Sequence, residues 1–249
     1  MTDGGCLAAT AGQPVGMALM NGSALVALVV HPDHRRRGVG AALLEATRPE
    51  AVGQGERAWM WPGLPDNLVE ARPFFSQHGW RPTERVWDFV ADLRSFRPLA
   101  PPQATPGLSY RVAAPSDMAA VTAFERRHFP FWSVHYEAAD ADSVVVAVDR
   151  RDGAVVGTLR IEWPARHGPG RWSRLLGDDL GAIRAVGIDR RFRGRGVGTA
   201  LVVAASEHLR KLGVGVCLVD WLVRTGFYRR AGYEPWRSYQ LVKPAGPPR

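Results

Sequence analysis

Arg193, Gly194, Arg195, Gly196, Val197 and Gly198 form one run, with Thr199 directly after it. These residue types at this spacing suit anion binding. Glycine lacks a Cβ, so the chain can turn tightly and bring several backbone N–H groups onto one ligand. The arginines add charge and paired donors for phosphate oxygens. A pyrophosphate matches such a set of donors. Two familiar phosphate-binding patterns are excluded. The P-loop needs Lys-Ser or Lys-Thr after its last glycine, where this chain has Thr199-Ala200. The dinucleotide fingerprint needs G-x-G-x-x-G, whereas Gly194, Gly196 and Gly198 alternate.

The elements around this run must aim it. Residues 183–188 are apolar and partly β-branched, which predicts a buried strand. Residues 199–212 carry few helix breakers and predict a helix, whose N-terminus brings a partial positive charge to the turn. The pattern occurs a second time at 27–46. A shift of 158 residues places Val30 on Ile188, Arg35 on Arg193, Gly38 on Gly196 and Gly40 on Gly198. An internal repeat of this length predicts two halves of one type. The second cradle comprises Val30, Arg35, Arg36, Arg37, Gly38, Val39 and Gly40.

In the first half, strands are expected at 6–10, 15–20, 24–30, 57–61 and 86–93, with helices at 39–47 and 67–78. Residues 94–107 hold Pro98, Pro101, Pro102 and Pro106 and predict an extended linker. In the second half the order over 108–242 reads β-α-α-β-β-β-α-β-α-β. The expectation is an α/β (α+β) chain of two domains, 1–93 and 108–243, joined by the linker 94–107. Each domain is a mixed, mostly antiparallel twisted sheet flanked by helices.

Strand, R-x-x-G-x-G and helix in this order resemble the acetyl-CoA motif of the GNAT superfamily of N-acetyltransferases. The element order of the second half is similar to that family's whole fold. Gly226-Phe227-Tyr228-Arg229-Arg230-Ala231-Gly232-Tyr233 resembles the family's F-Y-x-x-x-G-F segment. The resemblance implies a cosubstrate, acetyl-CoA, with its pyrophosphate on the amides of 193–198 and its pantetheine arm beside 185–188. It also implies that a backbone N–H near Val186 or Gly187 holds the thioester carbonyl oxygen, adjoining Ile188. Tyr228 matches the general acid that protonates the leaving thiolate. For the base that receives the amine proton, Glu162 is the first candidate and Asp220 the second, each at a strand end. Aligning Gly79 on Gly232 puts Phe75 at the position of Tyr228, so the first half lacks the acid hydroxyl. It also lacks the opening strand and two helices, so this half is expected to be truncated at its front and degenerate.

The activity so implied is transfer of an acetyl group to a primary amine by direct attack in a ternary complex, worked by the second half. The alternative is a catalytically silent CoA-binding or regulatory module. His128 and His135, beside Phe129, Phe131 and Trp132, are candidates to line an acceptor pocket. The expected acceptor is a small-molecule or peptide amine, and the basic, aromatic surroundings of Arg166, His167, Arg171, Trp132 and Trp163 favour one with an acidic or planar group over a polycation.

Composition narrows the rest. The net charge is +8, and only Lys211 and Lys243 are lysines. Such a balance attracts anions, but the arginines are scattered and no aromatic-basic stacking motif stands out, which argues against nucleic acid. Two cysteines, Cys6 and Cys217, cannot build a disulfide framework, which suggests a reducing cytoplasm. No apolar stretch is long enough for a membrane helix. No His/Cys cluster has metal spacing, so no metal is expected.

Overall fold

The computed structural model describes residues 4–53, 61–99 and 105–246. The expected strand at 57–61 and the centre of the expected linker therefore lie outside the described residues, Trp61 and the linker's ends excepted. The chain forms two compact units, 1–87 with 237–249, and 88–236.

The first unit opens with three strands in antiparallel pairs, β1 (Gly4–Thr10), β2 (Gln13–Asn21) and β3 (Ala24–Val30). Asn21-Gly22 turns β2 into β3, with Gly22 at φ 56°, as the hairpin signal predicts. Helix α1 (Val39–Thr47) follows the basic turn, and a two-residue strand β4 (Ala51–Val52) pairs parallel with β3. Then come β5 (Leu64–Pro65), α2 (Ala71–Gln77) and β6 (Trp80–Asp92). Leu43 and Leu44 of α1 enter a core with Ala18, Leu25, Val52, Phe75 and Trp80. Each such leucine contributes roughly 2 kcal/mol by leaving water.

The second unit holds β7 (Leu108–Val112), α3 (Met118–His128), α4 (Val134–Glu137), β8 (Val144–Asp149) and β9 (Val155–Glu162). Two one-turn helices, α5 (Pro164–His167) and α6 (Ser173–Leu176), lie between β9 and β10. They are followed by β10 (Leu180–Ile188), α7 (Val197–Lys211), β11 (Val216–Leu222), α8 (Gly226–Arg230) and β12 (Glu234–Pro244). The sheet runs β11-β10-β9-β8-β7, antiparallel except between β10 and β11, which α7 connects as a parallel crossover. Every residue of β8 is buried, as expected of a strand covered on both faces. Helix α3 starts where Asp117 accepts from the Ala114 N–H (2.6 Å) and pairs with Arg111. The mixed, mostly antiparallel sheet flanked by helices is as the sequence predicts.

The units do not divide at the Pro-rich segment. The end of β6 belongs to the second unit and most of β12 to the first. Strand pairing accounts for this. Tyr239 and Gln240 of β12 pair with Pro65 and Leu64 of β5, and Val242 enters the first core. Asp88 of β6 accepts from the Trp221 N–H of β11 (3.1 Å), and the Leu93 N–H donates to Gly215 (2.8 Å). The described ends of the expected linker are anchored to the second unit rather than merely extended. Phe96 meets Tyr233 edge-on at 6.4 Å, and the Thr105 hydroxyl donates to the Arg195 carbonyl (3.0 Å).

Candidate functional site

Each glycine turn is built the same way from its own residues. In the second unit Asp189 caps the turn, its Oδ1 accepting from the Arg191 N–H (2.9 Å). Arg193 folds back so that Nε donates to the Ile188 carbonyl (3.0 Å). In the first unit His31 Nδ1 accepts from the Asp33 N–H (3.3 Å), and Arg35 Nε donates to the Val30 carbonyl (3.1 Å). Gly196 and Gly38 precede the helices at φ 80° and 82°. The first 5→1 bonds are Ala200 N–H to Gly196 and Ala42 N–H to Gly38, both 3.0 Å. The amides of Val197, Gly198 and Thr199, and of Val39, Gly40 and Ala41, therefore precede the helical ladder and have no partner within it. Gly194 takes φ 75°, and Arg36 must take φ 60° at the matching position. That strain costs about 1 kcal/mol, which the glycine avoids.

The space over the turns suits a bulky anion. A Cβ added at Gly194 or Gly38 would meet nothing within 4 Å. One at Gly198 would rest on Phe227 at 3.6 Å, and one at Gly40 on Phe74 at 3.2 Å. The pair Phe227/Phe74 supports the alignment that sets Tyr228 against Phe75. Both cradles thus fit the pyrophosphate of CoA, and Val186, Gly187 and Ile188 lead directly into the second.

Upstream of that turn, β10 opens. Its parallel ladder with β11 ends at Ile183 opposite Val219. In the first unit the last β3–β4 pair among the described residues is at Leu25, the residue equivalent to Ile183. On the other side, Arg184 pairs with Arg160 but the next paired residue is Gly187, with Thr158. Ala185 and Val186 form a bulge, with Ala185 at φ 49°. Gly187 is required there because a Cβ would come within 2.6 Å of the Phe129 ring.

Tyr228, on α8, is only 5% exposed. Burial and then the charge of Asp220 push its phenol above its ordinary value, so it keeps its proton at neutral pH. The two candidate bases are brought together, but by a residue the sequence reading passed over. Arg184 Nε binds Glu162 (2.9 Å) and Nη1 binds Asp220 (2.7 Å). Burial opposes the Arg184 charge, yet the two carboxylates outweigh it and raise the guanidinium pKa. Alternation along β9 and β10 produces the triad, since Arg184 and Glu162 stand on neighbouring strands.

The other expected pocket residues are dispersed. Trp132 stacks on Phe129 at 5.3 Å, and His128 lies against Phe124 at 4.8 Å. Phe131 is exposed. Arg166 is paired with Asp140, and His167 meets Trp163 edge-on at 5.0 Å. His135 and Arg171 lie close enough to feel the charges of the triad. Burial, then Arg160 and Arg184, lower the His135 pKa. Burial, then Arg184, lower that of Arg171. Trp172 and Trp236 meet edge-on at 5.4 Å in the same unit. Among the described residues no group of three or more His, Cys, Asp or Glu side chains is placed to hold a metal. No helix among them is long and apolar enough to cross a membrane.

A buried polar cluster under the bulge was also missed. Glu125 of α3 is fully buried, and its Oε1 accepts from the Thr158 hydroxyl. Burial pushes its carboxyl up from 4.5 to about 7, against the Thr158 hydrogen bond. The only sequence signal was an acid among apolar positions of an amphipathic helix. The folded-state value lies above the unfolded one, so this group's stabilising contribution is full below about pH 4.5. It is lost as pH rises through about 7. The loss amounts to about 3 kcal/mol. Calorimetric scans between these limits are expected to show wild type losing more stability than Glu125→Gln. Equal losses would contradict the assignment.

Two family models match. An acetyltransferase (GNAT) domain covers residues 2–82, and the acetyltransferase (GNAT) family covers 112–233. The mycothiol acetyltransferase of Sanguibacter keddieii is 32% identical over 250 residues, covering 90% of this chain and 75% of that protein. That of Cellulomonas flavigena is 30% identical over 225 residues, covering 83% of this chain. The chain spans 63% of the Cellulomonas protein's length. Among solved structures, the GCN5-related glucosamine N-acetyltransferase region of a fungal GH3 β-N-acetylglucosaminidase is 28% identical with a TM-score of 0.77. It covers 93% of this chain and 31% of the fungal one. A tandem GNAT protein from the clavulanic acid biosynthesis pathway shares the fold, at 19% identity and a TM-score of 0.57, covering 98% of this chain and 83% of that one. The chain belongs to the GNAT acetyltransferase family and carries two of its domains in tandem.

Proposed function

We propose that the chain is an acetyl-CoA-dependent N-acetyltransferase that acetylates the primary amine of a small molecule, with its working site in the second unit. The observation that carries this reading is the alignment, along one strand and its following helix, of the Ala185–Val186 bulge with the open amides at the start of α7. Bound acetyl-CoA supplies an activated thioester. The amides of Val197, Gly198 and Thr199, with Arg193 and Arg195, hold its pyrophosphate. An N–H at Val186 or Gly187 faces the carbonyl oxygen and stabilises the charge that develops there. Glu162 receives the ammonium proton, directly or through a water, while Arg184 fixes its position. Tyr228 donates its proton to the departing thiolate. The first unit keeps its cradle, Arg35 to Gly40, and holds a second CoA without turning it over, since Phe75 has no proton to give.

The acceptor is tested first with glucosamine. The 28% identical fungal region bears that activity in its name. A panel of amino sugars, amino acids and peptide N-termini, read by release of the CoA thiol, is expected to yield at least one substrate. Thiol release with none of them, while CoA still binds, would instead support the silent CoA-binding module.

A further inference from the structure

Three residues of one helical layer converge on the β10 bulge. The Tyr136 hydroxyl of α4 donates to the Ala185 carbonyl at 2.6 Å. Phe129, whose N–H donates to the Glu125 carbonyl at 2.7 Å, packs its ring on Gly187. Glu125 binds Thr158, the residue opposite Gly187 in the ladder. Glu125, Tyr136 and Thr158 are all fully buried. Glu125 Oε2 has no hydrogen-bond partner.

We infer that Glu125 is a positioning residue for the acetyl group: as the neutral acid, and through Thr158 and the α3–α4 layer, it holds the bulge in the shape that points its amides at the acetyl carbonyl. The inference rests on the acetyltransferase reading. The surroundings of Glu125 favour the neutral form. Titratable groups on the elements packed against α3 are Arg160 and Glu162 on β9, His135, Tyr136 and Glu137 on α4, and Asp117 in the preceding turn. Glu162 is bound to Arg184, Glu137 to Arg126 and Asp117 to Arg111. Glu125 Oε2 is buried without a partner, so Arg160 does not pair with it there. On α3 itself, Arg126 is engaged by Glu137, Arg127 is exposed, and His128 lies tilted against Phe124. An ionised Glu125 would thus be an unmatched buried charge, and its relief requires α3 to loosen from β9. Since burial sets its pKa at about 7, that loosening begins near neutral pH.

The test compares acetyl-CoA with CoA. Both engage the glycine turn, but only the thioester carbonyl reaches the bulge. The ratio of their affinities, measured by calorimetry in chains that all carry Gly38→Asp so that only the second-unit cradle binds, therefore reports the contacts of the acetyl group. In wild type the preference for acetyl-CoA is expected to fall about fivefold between about pH 6 and about pH 8.5, the effect of one hydrogen bond. In Glu125→Gln, which still accepts from Thr158 but cannot ionise, the ratio is expected to stay constant. Thr158→Val removes the link between Glu125 and the ladder opposite Gly187, so its preference for acetyl-CoA is expected to be low at every pH. A ratio independent of pH in wild type overturns the inference. So does a wild-type profile in Glu125→Gln, or in Thr158→Val if the glutamine variant does not fold. Failure of both ligands to bind wild type would instead sink the acetyltransferase reading, and this inference with it.

Discussion

Tyr228→Phe is expected to bind CoA as wild type does and to lower kcat about 100-fold or more, the range for losing a general acid. The phenol sits at 5% exposure on α8, with Asp220 contributing to its raised pKa. Removing one oxygen from a packed ring leaves the fold almost untouched. The change therefore separates chemistry from binding. The KM for acetyl-CoA is expected to stay near its wild-type value, because the turn at 193–198 is unaffected. A pH profile adds a second readout. Tyr228 keeps its proton across the working range, so the wild-type and variant profiles are expected to run parallel, with no alkaline fall from this group. Steady-state kinetics with thiol detection checks both points, and unchanged kcat would remove Tyr228 from the reaction.

Gly196→Asp is expected to weaken CoA binding about 100-fold at the second-unit site, and turnover with it. Two effects act in the same direction. Gly196 holds φ 80°, a region a side chain enters at a cost of about 1–2 kcal/mol. The new carboxylate stands at the start of α7, where it would occupy the amides and repel a phosphate. Calorimetry decides this by stoichiometry. Wild type is expected to bind two CoA per chain. Gly196→Asp is expected to bind one with no turnover, and Gly38→Asp one with turnover retained. If Gly38→Asp abolished turnover and Gly196→Asp preserved it, the two units would have been assigned the wrong way round.

Much of the cradle was legible in the chain itself. Gly38 and Gly196, Arg35 and Arg193, and the strands before them define it through local rules. Glycine permits positive φ, and an arginine five residues past a strand can return to its last carbonyl. The equal bonds in the two copies show that 158 residues of separation leave such a motif unchanged. The cover that Phe74 and Phe227 give the last glycine in each copy came only with the packing.

The carboxylates were not legible in this way. Glu162 and Asp220 were each chosen as strand ends, and neither choice contained Arg184, which binds both. Their meeting depends on the register of β9, β10 and β11, and register follows from packing across the whole sheet. The place of β12 escaped for a related reason. Its sequence says strand, but Tyr239 opposite Pro65 is a choice between sheet edges that many residues make together. Glu125 shows the same limit most clearly. In the sequence it is one acid beside two arginines, while in the fold it is buried against Thr158 beneath a bulge.

The sequence by itself determined the repeat, the two glycine turns with their following helices, and the difference between Tyr228 and Phe75. These depend on backbone freedom and side-chain chemistry at fixed short spacing, which the chain carries wherever it folds. Only the tertiary structure decided which charges are paired, which carboxyl loses its water, and where β10 parts from β11. Those outcomes depend on groups far apart in sequence brought to within a few ångströms, where desolvation and pairing set their chemistry.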